Sequence, residues 1–95
     1  MVMDKEIIID LANIESSEEL HQIFFNELEF PGFYGMNWDA FWDTITGLIE
    51  MPERLVLKNH NVLKNKRPKD YKLMMECFDD MRREYPDIKC EIIKA

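Results

Sequence analysis

The sequence predicts a compact α/β domain in which a three-stranded parallel sheet packs against three to four helices, in the order β-α-α-β-α-α-β. Three observations predict it. Three short runs rich in β-branched residues, Ile7-Ile8-Ile9, Leu55-Val56-Leu57 and Ile88 to Ile93, are spaced along the chain. Helix-start and helix-stop signals fall between them. The connections, roughly thirty to forty residues with helices inside, suit parallel pairing through right-handed crossovers and are too long for hairpins. With 95 residues, no repeat, no low-complexity tract and no linker, one domain over 1–95 around one core is expected.

The elements follow in order. Glu6 and Asp10 flank the isoleucine run, and an unbroken apolar run predicts a strand covered on both faces. Ser16 with Glu19 fits a capping box, so a helix starts there, with Leu20, Ile23, Phe24 and Leu28 as its apolar stripe. Pro31-Gly32 ends it, and an aromatic-rich loop follows through Phe33, Tyr34, Gly35 and Met36. Asn37 is a good N-cap, and Asp39 in the first turn suits the helix dipole. That second helix is expected to run to about Ile49, with Phe41, Ile45 and Leu48 or Ile49 inward and Trp38 or Trp42 at the margin. Pro52 precedes the second strand, and a short helical turn is expected over His60 to Lys66. Pro68 suits the first turn of a longer helix to Tyr85, with Leu73, Met74, Cys77, Phe78 and Met81 on one face. Pro86-Asp87 then breaks to the last strand.

Charge narrows the function. Hydrophobic content of 46% marks a folding chain rather than a disordered one. The formal net charge of -7 argues against direct binding of nucleic acid or anionic membrane, both of which need a basic surface. No Lys or Arg lies between Lys5 and Arg54, a stretch that carries eleven carboxylates. Such a surface is either solvated for solubility or steers a cationic partner towards the chain. Cys77 and Cys90 lack metal-ligand spacing and read as reduced core thiols. MVMDKEIIID lacks a signal-peptide pattern and no run is long enough to span a membrane, so a soluble cytoplasmic protein is expected.

Asp39 and Asp43 stand four apart on one helix face with no basic neighbour at helical spacing. They are either ordinary surface charge or half of an interface whose cations come from a partner. Two carboxylates without a third ligand make a poor metal site, and no metal, cofactor or catalytic residue is expected. The aromatic cluster Phe33, Tyr34, Trp38, Phe41 and Trp42 adjoins that face, and aromatics beside charge are typical of binding hot spots. Asp80 forms a column with Glu76 and Glu84, partly balanced by Lys72 and Arg83, and reads as a solvated face. His21 reads as a partly buried structural residue. There is no nucleophile elbow and no glycine-rich phosphate loop, so catalysis is not expected.

The run from Phe30 to Gly47 resembles the barstar family of intracellular ribonuclease inhibitors, through the pattern Pro-x-x-Tyr-Gly-x-Asn-x-Asp-Ala-x-Trp-Asp-x-x-Thr-Gly. The resemblance extends upstream through Leu20-His21-Gln22 and downstream through Glu50 and Pro52, resumes around Phe78 and Ile88, and is weakest between Glu53 and Lys72. It implies the same three-stranded parallel sheet, and a helix-and-loop surface that fills the active site of a barnase-like ribonuclease. Residue by residue, Asp39 and Asp43 match the two inhibitory aspartates, Asp43 being the one that enters the nuclease's phosphate-binding site. Trp42 matches a tryptophan beside the interface, and Tyr34, Gly35 and Asn37 match the binding loop. Asp80 aligns with an interfacial glutamate. With Phe33, Trp38, Thr46 and Gly47 these make up the expected partner-binding surface. Three positions depart: Phe33 stands for a tyrosine, Leu48 for a tryptophan, and Asp80 for the longer glutamate.

The resemblance therefore implies an immunity-type inhibitor of a basic extracellular-type ribonuclease, monomeric when free. The alternative is a barstar-like interaction module for a different toxin or a non-nuclease partner.

Overall fold

A computed structural model describes residues 5–95. The expectation of no leader pattern rests partly on residues 1–4, which lie outside the described residues. Three strands, β1 (Glu6–Asp10), β2 (Arg54–Lys58) and β3 (Glu91–Lys94), form a sheet in the order β1-β2-β3. Both pairings are parallel, with Ile8 opposite Val56 and Val56 opposite Ile93. The helices are α1 (Ser17–Glu27), α2 (Trp38–Asp43), α3 (His60–Lys66) and α4 (Pro68–Glu84). The expected β-α-α-β-α-α-β order is the observed one.

Right-handed crossovers between strands taken in this order lie on one face of the sheet. Burial agrees, and corrects the expectation that β1 is covered on both faces. Ile9, Leu55 and Leu57 are fully buried, whereas Ile8 on the opposite face is 52% exposed. Only alternate residues of the isoleucine run serve the core, because side chains of a strand alternate in direction. Ile8 shares its outward row with Val56 and Ile93.

The core is aromatic at its centre. Phe41 lies 5.0 Å from Phe24, 5.5 Å from Phe78 and 5.1 Å from Trp38 between ring centroids, all in edge-to-face arrangements. Those three phenylalanines come from α1, α2 and α4 and are fully buried, so one cluster joins three helices. Ser16 caps α1 by accepting from the Glu19 amide at 3.1 Å. The Glu19 carboxylate reaches back one residue further than a strict capping box, to the Glu15 amide at 3.0 Å.

Two boundaries differ from expectation. The helix after Asn37 is not one α-helix: after Asp43 it widens into a π-helical segment over Thr44–Leu48, closed by the Ile49 amide on the Thr44 carbonyl at 3.2 Å. Thr44 and Thr46 hydroxyls donate back to the carbonyls of Ala40 and Trp42 at 2.7 and 2.6 Å, where they compete with backbone amides and loosen the turn. Ile45 is fully buried, Ile49 packs against the core, and Leu48 is turned out and 51% exposed. The last strand starts three residues late, because the turn after Pro86 extends through Ile88, whose amide bonds the Tyr85 carbonyl at 2.9 Å.

Candidate functional site

The loop before α2 is fixed from within. Asn37 accepts from the Ala40 amide at 2.7 Å and donates to the Gly35 carbonyl at 3.1 Å, so one side chain both caps the helix and ties down the loop. A Cβ on Gly35 would lie 3.1 Å from the Asn37 amide nitrogen, which explains glycine there. Met36 has φ 53°, an unusual left-handed conformation for a side chain of this size, at the point where the chain swings into α2.

Within that loop Phe33 and Tyr34 part company. Phe33 is 77% exposed. Tyr34 is buried, edge-on to Phe30 at 4.8 Å, with its hydroxyl 2.5 Å from His21 Nδ1. Tyr34, which the resemblance sets in the binding loop, turns its side chain inward and holds that loop from below, because its large ring finds an apolar pocket and its hydroxyl a partner inside.

Between α2 and α4 runs a groove of about 570 Å³, lined by Trp38, Asp39, Trp42, Asp43, Leu73, Glu76, Cys77, Asp80 and Glu84. Five of the nine are carboxylates. Arg83 is tied to Asp80 at 2.5 Å and Glu84 at 3.6 Å, so the α4 wall is partly neutralised. Asp39 and Asp43 on the α2 wall are exposed and have no ion pair among the described residues. Cys77 shows how closely the walls converge. Burial, and then the negative charge of Asp80, Glu76 and Asp39, push its thiol up to about 11, so it stays protonated and inert at neutral pH. Trp42 packs edge-on to Tyr85 at 5.9 Å along the same edge.

Thr46 and Gly47 lie beyond this groove and line a neighbouring one of about 620 Å³ with Leu48, Ile49 and the loop from Asp87 to Lys89. A Cβ on Gly47 would meet nothing within 4 Å, so the fold itself does not require glycine at that exposed position. The structure thus brings Trp38, Asp39, Trp42, Asp43 and Asp80 together and sets Phe33, Gly35 and Asn37 on the adjoining loop. Leu73, Glu76, Cys77 and Glu84 complete the groove although the sequence reading assigned them to core or solvated face. Their signal was the spacing 73, 76, 77, 80, 84, a single stripe along α4. Among the described residues no three His, Cys, Asp or Glu side chains are placed to hold a metal ion. No helix among them is long and apolar enough to cross a membrane.

A half-buried polar cluster adjoins Trp38 at the start of α4. Asp70, near the start of α4, accepts from Arg67 Nε at 2.7 Å, Ser17 Oγ at 3.2 Å and Trp38 Nε1 at 3.3 Å. Burial pushes its carboxyl up, but the hydrogen bonds from Arg67, Trp38 and Ser17 outweigh that and leave its pKa below the usual value. The Trp38 ring rests on His21, with centroids 4.4 Å apart.

A family model described as "Barstar (barnase inhibitor)" matches residues 5–93. The chain belongs to the barstar family. It is also 47% identical over 55 residues to the "Putative ribonuclease inhibitor YrdF" of Bacillus subtilis (strain 168). That alignment takes in 58% of this chain and 60% of the length of that relative. The three-stranded parallel sheet with four helices is the fold that the resemblance implied.

His21 gives this barstar-family chain a pH signature. It is 1% exposed, and burial lowers its pKa below 6.5, opposed by the charge of Asp70. The unfolded chain therefore binds more protons than the folded one just below pH 6.5. Stability is complete above that pH and is expected to fall as the pH drops beneath it, by at most about 1.4 kcal/mol per pH unit. Urea denaturation at pH 7.5 and 5.5 checks this; equal midpoints would show that the folded chain accommodates the imidazolium.

Proposed function

We propose that the chain inhibits a basic barnase-like ribonuclease by presenting Asp39 and Asp43 to the cations that hold the nuclease's substrate phosphates. The observation that carries this is the α2 wall: two exposed carboxylates one turn apart, without an ion pair among the described residues, on a helix capped by Asn37. A like-charge pair at this spacing disfavours an isolated helix by roughly 0.2–0.5 kcal/mol. The arrangement gains when a partner brings positive charge. A ribonuclease active site collects Arg, Lys and His for phosphate. Carboxylates on a fixed helix can occupy the same positions, with Trp42 and Phe33 supplying apolar contact beside them. In the family, Asp43 matches the aspartate that enters the phosphate site. The name of the Bacillus subtilis relative supports the same reading.

The direct test titrates the purified chain into barnase and follows cleavage of RNA. Stoichiometric loss of cleavage is expected; full activity at excess inhibitor overturns a barnase-type target. The net charge of -7 adds a kinetic expectation. Association should fall by about tenfold or more between low and roughly 0.5 M salt, while dissociation changes less. Stopped-flow measurements check it, and a flat response would remove steering from the mechanism.

A second reading draws on the rim. Phe33 is 77% and Leu48 51% exposed, at positions where the resemblance implies tyrosine and tryptophan. A rim without those polar groups favours a different toxin, or a non-nuclease partner, behind the same acidic centre. Recovery from a pull-down of a basic partner lacking ribonuclease activity, lost with Asp39→Ala/Asp43→Ala, would select it.

A further inference from the structure

We infer that Asp70 is a positioning residue for the acidic wall, holding the start of α2 through Trp38 before any partner arrives; the consequence for inhibition rests on the inhibitor reading above. The argument begins with how little α2 has of its own. It has six residues before the π-helical segment, no basic side chain in its last turn, and two like charges one turn apart. So short a helix is marginal by itself and takes its orientation from outside contacts. Asn37 fixes its first turn along the chain. Across the chain, α4 reaches its first residue twice: the Trp38 indole N–H donates to Asp70 at 3.3 Å, and the Cys77 thiol, a weak donor, sits 4.0 Å from the Trp38 carbonyl, which leaves Asp70 as the strong polar tie.

Asp70 is built to receive it. The residue is 8% exposed, and Arg67 holds the second carboxylate oxygen at 2.7 Å, which leaves the first to face Trp38 and Ser17. Ser17 is the first residue of α1. One buried anion therefore joins the N-terminal ends of α1, α2 and α4. Asp70 is not part of the groove lining, so it acts on a partner only through what it holds. Trp38 immediately precedes Asp39, and a tilt at this residue would carry both aspartates away from a partner's cations. Carboxylates already in place cost less to order on binding than carboxylates on a mobile turn.

Amide exchange and a double-mutant cycle test this. Asp70→Ala removes the acceptor; Trp38→Phe keeps the ring packing on His21 and Phe41 but removes the donor. Each is expected to speed exchange of the α2 amides, residues 40 to 43, by about tenfold relative to those of the central strand β2, which Asp70 does not touch, and to weaken barnase inhibition by a similar factor. The double variant should be no worse than Asp70→Ala alone, because the one bond that Trp38→Phe removes is already gone there. Ser17→Ala, which removes a tie that does not involve α2, should lower overall stability without selective exchange in α2. Additive effects of Trp38→Phe and Asp70→Ala, or unchanged α2 exchange in Asp70→Ala, would overturn the positioning role. Failure of the wild-type chain to inhibit barnase would count against the inhibitor reading instead, and the exchange measurements would still decide the anchoring.

Discussion

Asp43→Ala is expected to weaken inhibition of barnase by more than about a hundredfold, roughly 3 kcal/mol, with little change in stability. Two features set these expectations apart. Asp43 is exposed and has no ion pair among the described residues, so its removal breaks nothing in the free chain. It also relieves repulsion with Asp39, so stability should stay within about 0.5 kcal/mol of wild type or rise slightly. In the complex the loss is double: the carboxylate's bonds disappear, and the nuclease's desolvated cations are left without a counter-charge. Asp80→Ala provides the internal comparison. Arg83 already holds Asp80 at 2.5 Å in the free chain, so its pairing with a partner must displace an existing one. Its loss should cost about 1 kcal/mol or less. Inhibition constants and urea midpoints for both variants check this ranking. Inhibition by Asp43→Ala equal to wild type would refute the phosphate-mimic mechanism, and a stronger effect from Asp80→Ala would move the centre of the interface to α4.

The same contrast shows what could be read from the sequence. Strand and helix order was legible because apolar spacing, the Ser16 and Asn37 caps and Pro68 all act locally. The acidic wall was legible because Asp39 and Asp43 lie on one element, where spacing alone fixes their relation. The groove's second wall was not. Glu76 and Glu84 form an acidic stripe with Asp80 in the sequence, but that stripe becomes a wall only where α4 packs beside α2. Asp70 stayed hidden for the same reason, since Trp38 and Ser17 are distant in sequence. Tyr34 and Phe33 illustrate a different limit. Both are aromatic residues on one loop, and which of them turns inward depends on His21 offering a partner across the core. The π-helical segment escaped a 3.6-residue period because a single widened turn leaves Phe41 and Ile45 inward and changes only which later residue follows them.

Phe41→Ala is expected to be the most damaging core substitution for both stability and function, at about 3–5 kcal/mol of folding free energy. Its ring is fully buried and contacts Phe24 of α1, Phe78 of α4, Phe30 before the loop, and Trp38 one turn earlier. Truncation leaves a cavity bordered by three helices that cannot all collapse into it, so lost burial and lost contacts add together. A domain of this size is stabilised by about 5–15 kcal/mol, so the variant should remain mostly folded at 25 °C but unfold at much lower urea. Phe41 is also the fully buried residue of α2, two positions after Asp39 and two before Asp43. The acidic wall should therefore loosen before the rest of the chain unfolds, and α2 amides should exchange faster than those of α4 in this variant. Phe33→Ala is the matched opposite. With 77% of that residue exposed, its loss should change stability by no more than about 0.5 kcal/mol while weakening inhibition through lost contact at the rim. Denaturation and inhibition measured on the two variants separate the aromatic residues that build the platform from those that face the partner. A Phe41→Ala chain as stable as wild type would mean that the aromatic cluster does not anchor α2.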